Sequence, residues 1–169
     1  MQNIYLIGPM GVGKSTIGRA LAKHLGMDFV DSDSEIEERT GATISLIFDI
    51  EGEDGFRKRE TQMIGELVDR RNMVLATGGG SIMTEENKLA LRKNGVVVYL
   101  YASIDTLVAR VRNPRNRPLL EGADDPEAVL RELFATRDPV YREEADHVFD
   151  TDDRSPAAVA REISRVFEK

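Results

Sequence analysis

The sequence predicts a three-layer α/β fold, a five-stranded parallel sheet flanked by helices. Short apolar runs of strand length alternate with stretches of helical period along the chain. These runs are nearly continuous in apolar residues rather than alternating, the pattern of strands covered on both faces. A Gly-x-x-x-x-Gly-Lys-Ser motif, residues 8–15, also falls between the first apolar run and the first amphipathic stretch, the context in which such a loop cradles phosphate.

Taken in order, residues 4–7 (Ile-Tyr-Leu-Ile) form the first strand, and a helix over 14–25 places Ile17, Ala20, Leu21 and Leu25 on one face. Phe29-Val30 is a short second strand ending at Asp31. Two short helices are expected at 34–40 and 43–48. A longer helix from about 56 buries Phe56, Met63, Ile64, Leu67 and Val68. Residues 73–77 form the third strand and run into Gly78-Gly79-Gly80. Thr84 is placed as the N-cap of the next helix, and 96–101 is the fourth strand. Ser103 caps a helix through Leu107, Val108 and Val111. Residues 113–125, polar and rich in Pro and Arg, read as a loop. Val148-Phe149 belongs to a short fifth strand. Ser155-Pro156 opens a final helix that buries Val159, Ile163, Val166 and Phe167.

The 169 residues show no repeat, low-complexity segment or linker, and are assigned to a single domain, 1–169. A composition of 41% hydrophobic and 31% charged residues is that of a globular chain. The formal net charge of −7 excludes broad binding to nucleic acid or to an acidic membrane. The longest apolar run, 96–102, is too short to span a bilayer, and no signal peptide precedes the strand at Ile4. There is no cysteine, hence no disulfide and no thiolate metal site, in keeping with a cytoplasmic location. His24 and His147 are isolated and read as structural, so no metal site made only of protein ligands is expected.

In a parallel sheet of this kind ligands bind at the carboxyl ends of the strands, where the chemically suggestive residues fall. The loop Gly8 to Ser15 can turn successive N–H groups toward phosphate oxygens at the positive end of a helix. Lys14 would supply a charge for the β- and γ-phosphates, and the Ser15 hydroxyl a ligand for Mg²⁺. A guanine reader Asn-Lys-x-Asp is lacking: Asn87-Lys88 has no such aspartate and lies in a predicted helix. Asp31 and Asp33 follow the second strand at i and i+2. If its alternation continues, both point toward the loop, one near the metal's water shell and one toward an acceptor hydroxyl. The bland alternative is a helix cap. Arg57 and Arg59 stand near the positive end of a helix, where they are disfavoured, which suggests that one of them meets an anion. Three successive glycines, 78–80, leave backbone bare at the ligand edge. Arg110, Arg112, Arg115 and Arg117 precede Pro118 in a segment able to fold over the nucleotide. Arg137, in Arg-Asp-Pro-Val-Tyr after the next helix, could add a cation for an acidic acceptor.

In the order GPMGVGKST, DSD, GFRKRE, ATGGGS, RPLL and RDPVY, these segments closely resemble shikimate kinase, in its bacterial type I form, over essentially the whole chain. The resemblance implies a P-loop NTPase fold of the nucleoside-monophosphate-kinase type, with a substrate-binding region at about 32–60 and a lid at about 112–124. It implies transfer of the ATP γ-phosphate to the 3-hydroxyl of shikimate, in the route to aromatic amino acids. Lys14, Asp33 and Arg117 would then be catalytic, with Asp33 as base. Gly11, Val12, Gly13, Lys14, Ser15, Thr16, Arg117 and Arg154 would bind ATP, with Arg110 and Pro156 also near the adenine. Asp33, Arg57, Gly79 and Arg137 would bind shikimate. One Mg²⁺ would be held by Ser15 directly and by Asp31 through water. The expected partners are ATP and shikimate, with no nucleic acid and no membrane, for a monomer. Two alternatives remain: a related kinase acting on gluconate or a nucleoside monophosphate, and a non-catalytic nucleotide-binding regulatory module.

Overall fold

A computed structural model describes residues 1–111, 119–120 and 122–168. Five parallel strands form one sheet: β1 (Asn3–Ile7), β2 (Asp28–Asp31), β3 (Met73–Ala76), β4 (Gly95–Tyr101) and β5 (His147–Asp150), in the spatial order β2-β3-β1-β4-β5. Helices α1 (Lys14–Leu25), α2 (Ser32–Thr40), α3 (Ile44–Leu67), α4 (Glu85–Asn94), α5 (Ile104–Arg110), α6 (Pro126–Glu144) and α7 (Pro156–Phe167) connect or follow the strands. No helix among the described residues is long and apolar enough to cross a membrane.

The two-residue period of a strand sends neighbouring side chains to opposite faces, and both faces of this sheet are buried. Ile4 and Leu6 of β1, with Val98 and Leu100 of β4, pack against Ile17 and Leu21 of α1 and Val159 and Ile163 of α7. Tyr5 and Ile7, with Val97 and Tyr99, face Phe56, Ile64 and Leu67 of α3 and Tyr141 of α6. At about 25 cal/mol per Å² of buried apolar surface, these two layers are the main stabilising contribution.

Three expectations are corrected. The helices expected at 43–48 and from 56 are one element, α3, broken by Gly52 at φ 73°, so the second half already begins at Glu53. Arg-Asp-Pro-Val-Tyr does not follow a helix but lies within α6. Pro139 interrupts that helix's hydrogen-bond ladder without ending it. Thr84 takes the N-cap position of α4 as expected, without a side-chain cap bond. Val166, expected in the core, is 42% exposed, since α7 buries only the Val159, Ala160, Ile163 and Ser164 stripe. Leu120, in the segment read as a loop, is nevertheless buried in the core. The caps Ser103 and Ser155 stand as expected, accepting from the N–H groups of Thr106 and Ala158.

Candidate active site

The loop after β1 turns on Gly11 and Gly13, whose φ values of 83° and 101° lie in the left-handed region that side chains disfavour. Lys14 begins α1 and donates from Nζ to the carbonyls of Gly8 (2.6 Å) and Pro9 (2.8 Å). The Ser15 hydroxyl donates to Asp31 Oδ2 at 2.5 Å. Asp31 also caps α2, its Oδ1 accepting from the Ser34 N–H at 3.0 Å. The cap reading thus holds for Asp31, and its other oxygen remains turned to Ser15.

The alternation assumed for Asp31 and Asp33 does not occur, because α2 starts at Ser32. Asp33 instead projects from the first turn of that helix, and both carboxylates still line the cavity beside the phosphate loop. That cavity, about 550 Å³, is walled by Lys14, Ser15 and Thr16 on one side and by Asp31, Asp33, Thr77 and Gly78 on the other. Asp33 is pushed up to about 7, first by burial and then by the negative charges of Glu60 and Asp31; Lys14 and Arg57 pull it partly back. Its Oδ1 is buried and has no hydrogen-bond partner among the described residues.

A second cavity of about 110 Å³ adjoins the first, and Met10, Asp33, Ile44, Gly78 and Gly79 belong to both. Phe48, Phe56 and Leu119 give it apolar walls, while Arg57, Glu60 and Arg137 give it charge. Arg57 Nη1 donates to Glu60 Oε1 at 3.0 Å, and the Ser81 hydroxyl donates to Glu60 Oε2 at 2.9 Å. Arg137, 7% exposed, approaches from α6. The two guanidinium groups converge on Gly80: a Cβ there would lie 2.4 Å from Arg57 Nη2 and 2.9 Å from Arg137 Nη2. Arg57 also reaches Glu53 Oε1 at 3.4 Å, and Asp33 lines the same cavity, so the two cations are partly balanced. What they present is a pair of charged N–H forks beside bare backbone, which suits an anionic group.

A third cavity, about 270 Å³, lies on the other side of the phosphate loop, lined by Gly11, Val12, Gly13, Thr16, Arg110, Arg154 and Pro156 among others. Arg110 Nη1 donates to the carbonyls of Gly11 (3.3 Å) and Val12 (3.2 Å), and Arg154 is held by Glu162 and the Asp150 carbonyl. Gly11, Val12, Gly13, Lys14, Ser15, Thr16, Asp31, Asp33, Arg57, Gly79, Arg137 and Arg154 thus all line one of three cavities around one loop. Arg117 and most of the expected lid lie outside the described residues.

Three participants were not singled out from the sequence. Glu60 lies at i+3 from Arg57, a spacing at which helix side chains meet, so the Arg-Lys-Arg-Glu run held a signal for it. Tyr141 stands at i+4 from Arg137, and its hydroxyl donates to the Gly79 carbonyl at 2.5 Å. Met10 occupies a variable position of the phosphate loop, where nothing in the sequence distinguishes it. Among the described residues no three His, Cys, Asp or Glu side chains gather as a metal site. His24 pairs with Glu168, and His147 packs edge-on against Phe167.

Comparison with known proteins identifies the family. The family model for shikimate kinase matches residues 10–168. A shikimate kinase of Alteromonas mediterranea is 57% identical over 162 residues, 96% of this chain and 94% of that relative. The structure of a shikimate kinase from Acinetobacter baumannii in complex with shikimate superposes with a TM-score of 0.95 at 48% identity, covering 99% of this chain and 93% of that one. A gluconokinase from Sinorhizobium meliloti reaches a TM-score of 0.63 at 22% identity, covering 98% of this chain and 93% of that one. That more distant likeness shows only a shared fold, so the sheet and phosphate loop do not choose the acceptor. Matched along nearly its whole length by the family's own pattern and by relatives of its own size, the chain belongs to the shikimate kinase family.

Proposed function

We propose that the chain transfers the γ-phosphoryl group of ATP to the 3-hydroxyl of shikimate at Asp33, the residue that faces both the phosphate cavity and the acceptor cavity. Family membership gives the reaction class, ATP-dependent phosphorylation of shikimate in aromatic amino acid biosynthesis. The observation that supports the residue roles is a buried carboxylate with one oxygen unpartnered among the described residues, at the boundary of the two cavities.

Shikimate presents one carboxylate and several hydroxyls. Arg57 and Arg137 suit the carboxylate through charge-assisted hydrogen bonds, with the Gly79 backbone beside them. Asp33 would accept from ring hydroxyls and take the proton of the attacking one. The N–H groups from Gly11 to Thr16 would receive the phosphates, with Lys14, now turned onto its own loop, moving to the stronger acceptor. Arg117, in a lid at about 112–124, would meet the transferring group, and 32–60 would form the substrate-binding region. Arg110, Arg154 and Pro156 suit the third cavity to the adenine. The hard oxygens of Ser15 and Asp31, 2.5 Å apart beside the loop, fit Mg²⁺, which takes few protein ligands and completes its shell with phosphate and water. When bound, Mg²⁺ would neutralise charge on the phosphate oxygens. A monomer in the cytoplasm, where ATP is the donor, accords with this chemistry.

The test is ADP release with ATP and Mg²⁺ in the presence of shikimate, gluconate, AMP or no acceptor. Turnover with shikimate alone is expected. Turnover with gluconate or AMP instead would overturn the acceptor assignment. ATP binding without any acceptor-dependent turnover would indicate a regulatory module.

Two further outcomes are expected in the same assay. Arg137→Ala removes a charge-assisted contact and should raise the shikimate KM about tenfold or more, with the ATP KM within about twofold. Gly80→Ala should do likewise, because its methyl would displace the Arg57 guanidinium. Equal effects on both substrates would contradict the assignment.

A further inference from the structure

Tyr141 is 1% exposed, and its hydroxyl ends on the carbonyl of Gly79, one of the glycines shared by the phosphate and acceptor cavities. Its ring stacks on Tyr99 with centroids 4.9 Å apart, and the Tyr99 hydroxyl donates to Asp138 Oδ1 at 2.5 Å, so the phenol is fixed from behind. Packing alone does not require the hydroxyl, since a phenyl ring would fill the same space. The hydroxyl accepts from the Arg137 side chain and, by donating to Gly79, holds a peptide plane. In a planar trans peptide the carbonyl of one residue and the N–H of the next point in opposite directions. Tying the Gly79 carbonyl to Tyr141 therefore turns the Gly80 N–H away from the phenol. Among the described residues that N–H has no hydrogen-bond partner, and Gly80 lines the cavity into which Arg57 and Arg137 project. The Ser81 and Met83 N–H groups close the turn onto the carbonyls of Gly78 and Gly80, but neither holds the Gly79–Gly80 peptide in its middle, which glycine on both sides leaves free to flip.

We propose that Tyr141 is a positioning residue for the acceptor: its hydroxyl fixes the Gly79–Gly80 peptide so that the Gly80 N–H faces the carboxylate received by Arg57 and Arg137. The inference rests on the acceptor site proposed above. One turn of α6 thus supplies both a cation, Arg137, and the clamp on the backbone that the cation lies against. Burial pushes the Tyr141 phenol up to about 12, against the opposing pull of the Arg137 charge, so the group remains a protonated donor at neutral pH.

Tyr141→Phe removes only the hydroxyl. The expected result is a five- to twentyfold rise in the shikimate KM, with the ATP KM within twofold and the thermal midpoint within a few degrees of the parent protein. Direct titration of the same sample with shikimate should show the same weakening. An unchanged shikimate KM, or equal rises for shikimate and ATP, would overturn the proposal. Arg137→Ala run in parallel separates the two levels. If it raises the shikimate KM while Tyr141→Phe does not, the tyrosine's role is wrong and the acceptor site stands. If neither changes it, the acceptor site is wrong as well.

Discussion

Asp33→Asn is expected to lower shikimate-dependent turnover by at least 10²- to 10⁴-fold, the range typical for loss of a positioned base, while making the protein more stable at pH 8. An aspartate in an unfolded chain ionises near pH 3.9, whereas burial and the neighbouring carboxylates lift Asp33 to about 7. Between those values the folded state keeps a proton that the unfolded chain has lost, so stability falls as the pH rises through this window. Above about 7 both states are ionised and the full penalty stands, at most on the order of 4 kcal/mol. Asparagine keeps the shape without the charge. Its gain should therefore be near zero at about pH 3, below both values, and several degrees in thermal midpoint at pH 8. A gain equal at both pH values would remove the electrostatic explanation. The same ionisation governs the wild type: kcat/KM for shikimate should rise with pH up to about 7 and then level, because only the ionised form can accept a proton.

Replacement of Glu60 has the second largest expected effect. This carboxylate is wholly buried and accepts from both Arg57 and Ser81. Glu60→Ala leaves the Ser81 hydroxyl without its acceptor and Arg57 with only the longer contact to Glu53, facing a cavity, a change that costs on the order of 3 kcal/mol. For a chain of this length that is a fall of roughly 6–12 °C in thermal midpoint. The shikimate KM should rise too, because Arg57 loses the partner that aims it. Glu60→Gln separates the two effects, since it keeps an oxygen acceptor and removes the charge. Glu60 is among the causes that raise Asp33, so in this variant the acid limb of the shikimate kcat/KM profile should move to lower pH. An acid limb left in place would show that Glu60 does not act on Asp33 electrostatically.

The sheet and the phosphate loop were legible because both rest on local sequence. β1 and β4 are continuous apolar runs, and the loop is fixed by spacing between a strand and a helix. Asp33 was found for a reason that fails in detail: strand alternation would have aimed it at the loop, whereas the first turn of α2 does so. Arg57 was legible as a cation at the wrong end of a helix, although the break at Gly52 starts that helix a turn earlier than its apolar pattern suggested. Glu60 and Tyr141 were not singled out because their roles depend on partners far along the chain. Glu60 meets Ser81 across 21 positions and Tyr141 meets Gly79 across 62. Periodicity places such residues on a buried face and cannot say that a carboxylate or a hydroxyl there is spoken for. Arg-Asp-Pro-Val-Tyr lies inside α6 rather than after it, because a helix carries one proline where its packing outweighs the lost hydrogen bond.

The most direct test of the central claim, that Asp33 joins the donor and acceptor cavities, is shikimate-dependent ADP release by Asp33→Asn beside the parent protein, with ATP binding measured on the same samples. The account predicts that ATP binds both proteins comparably and that only the parent releases ADP when shikimate is added. Shikimate-dependent release by Asp33→Asn within tenfold of the parent rate would contradict it.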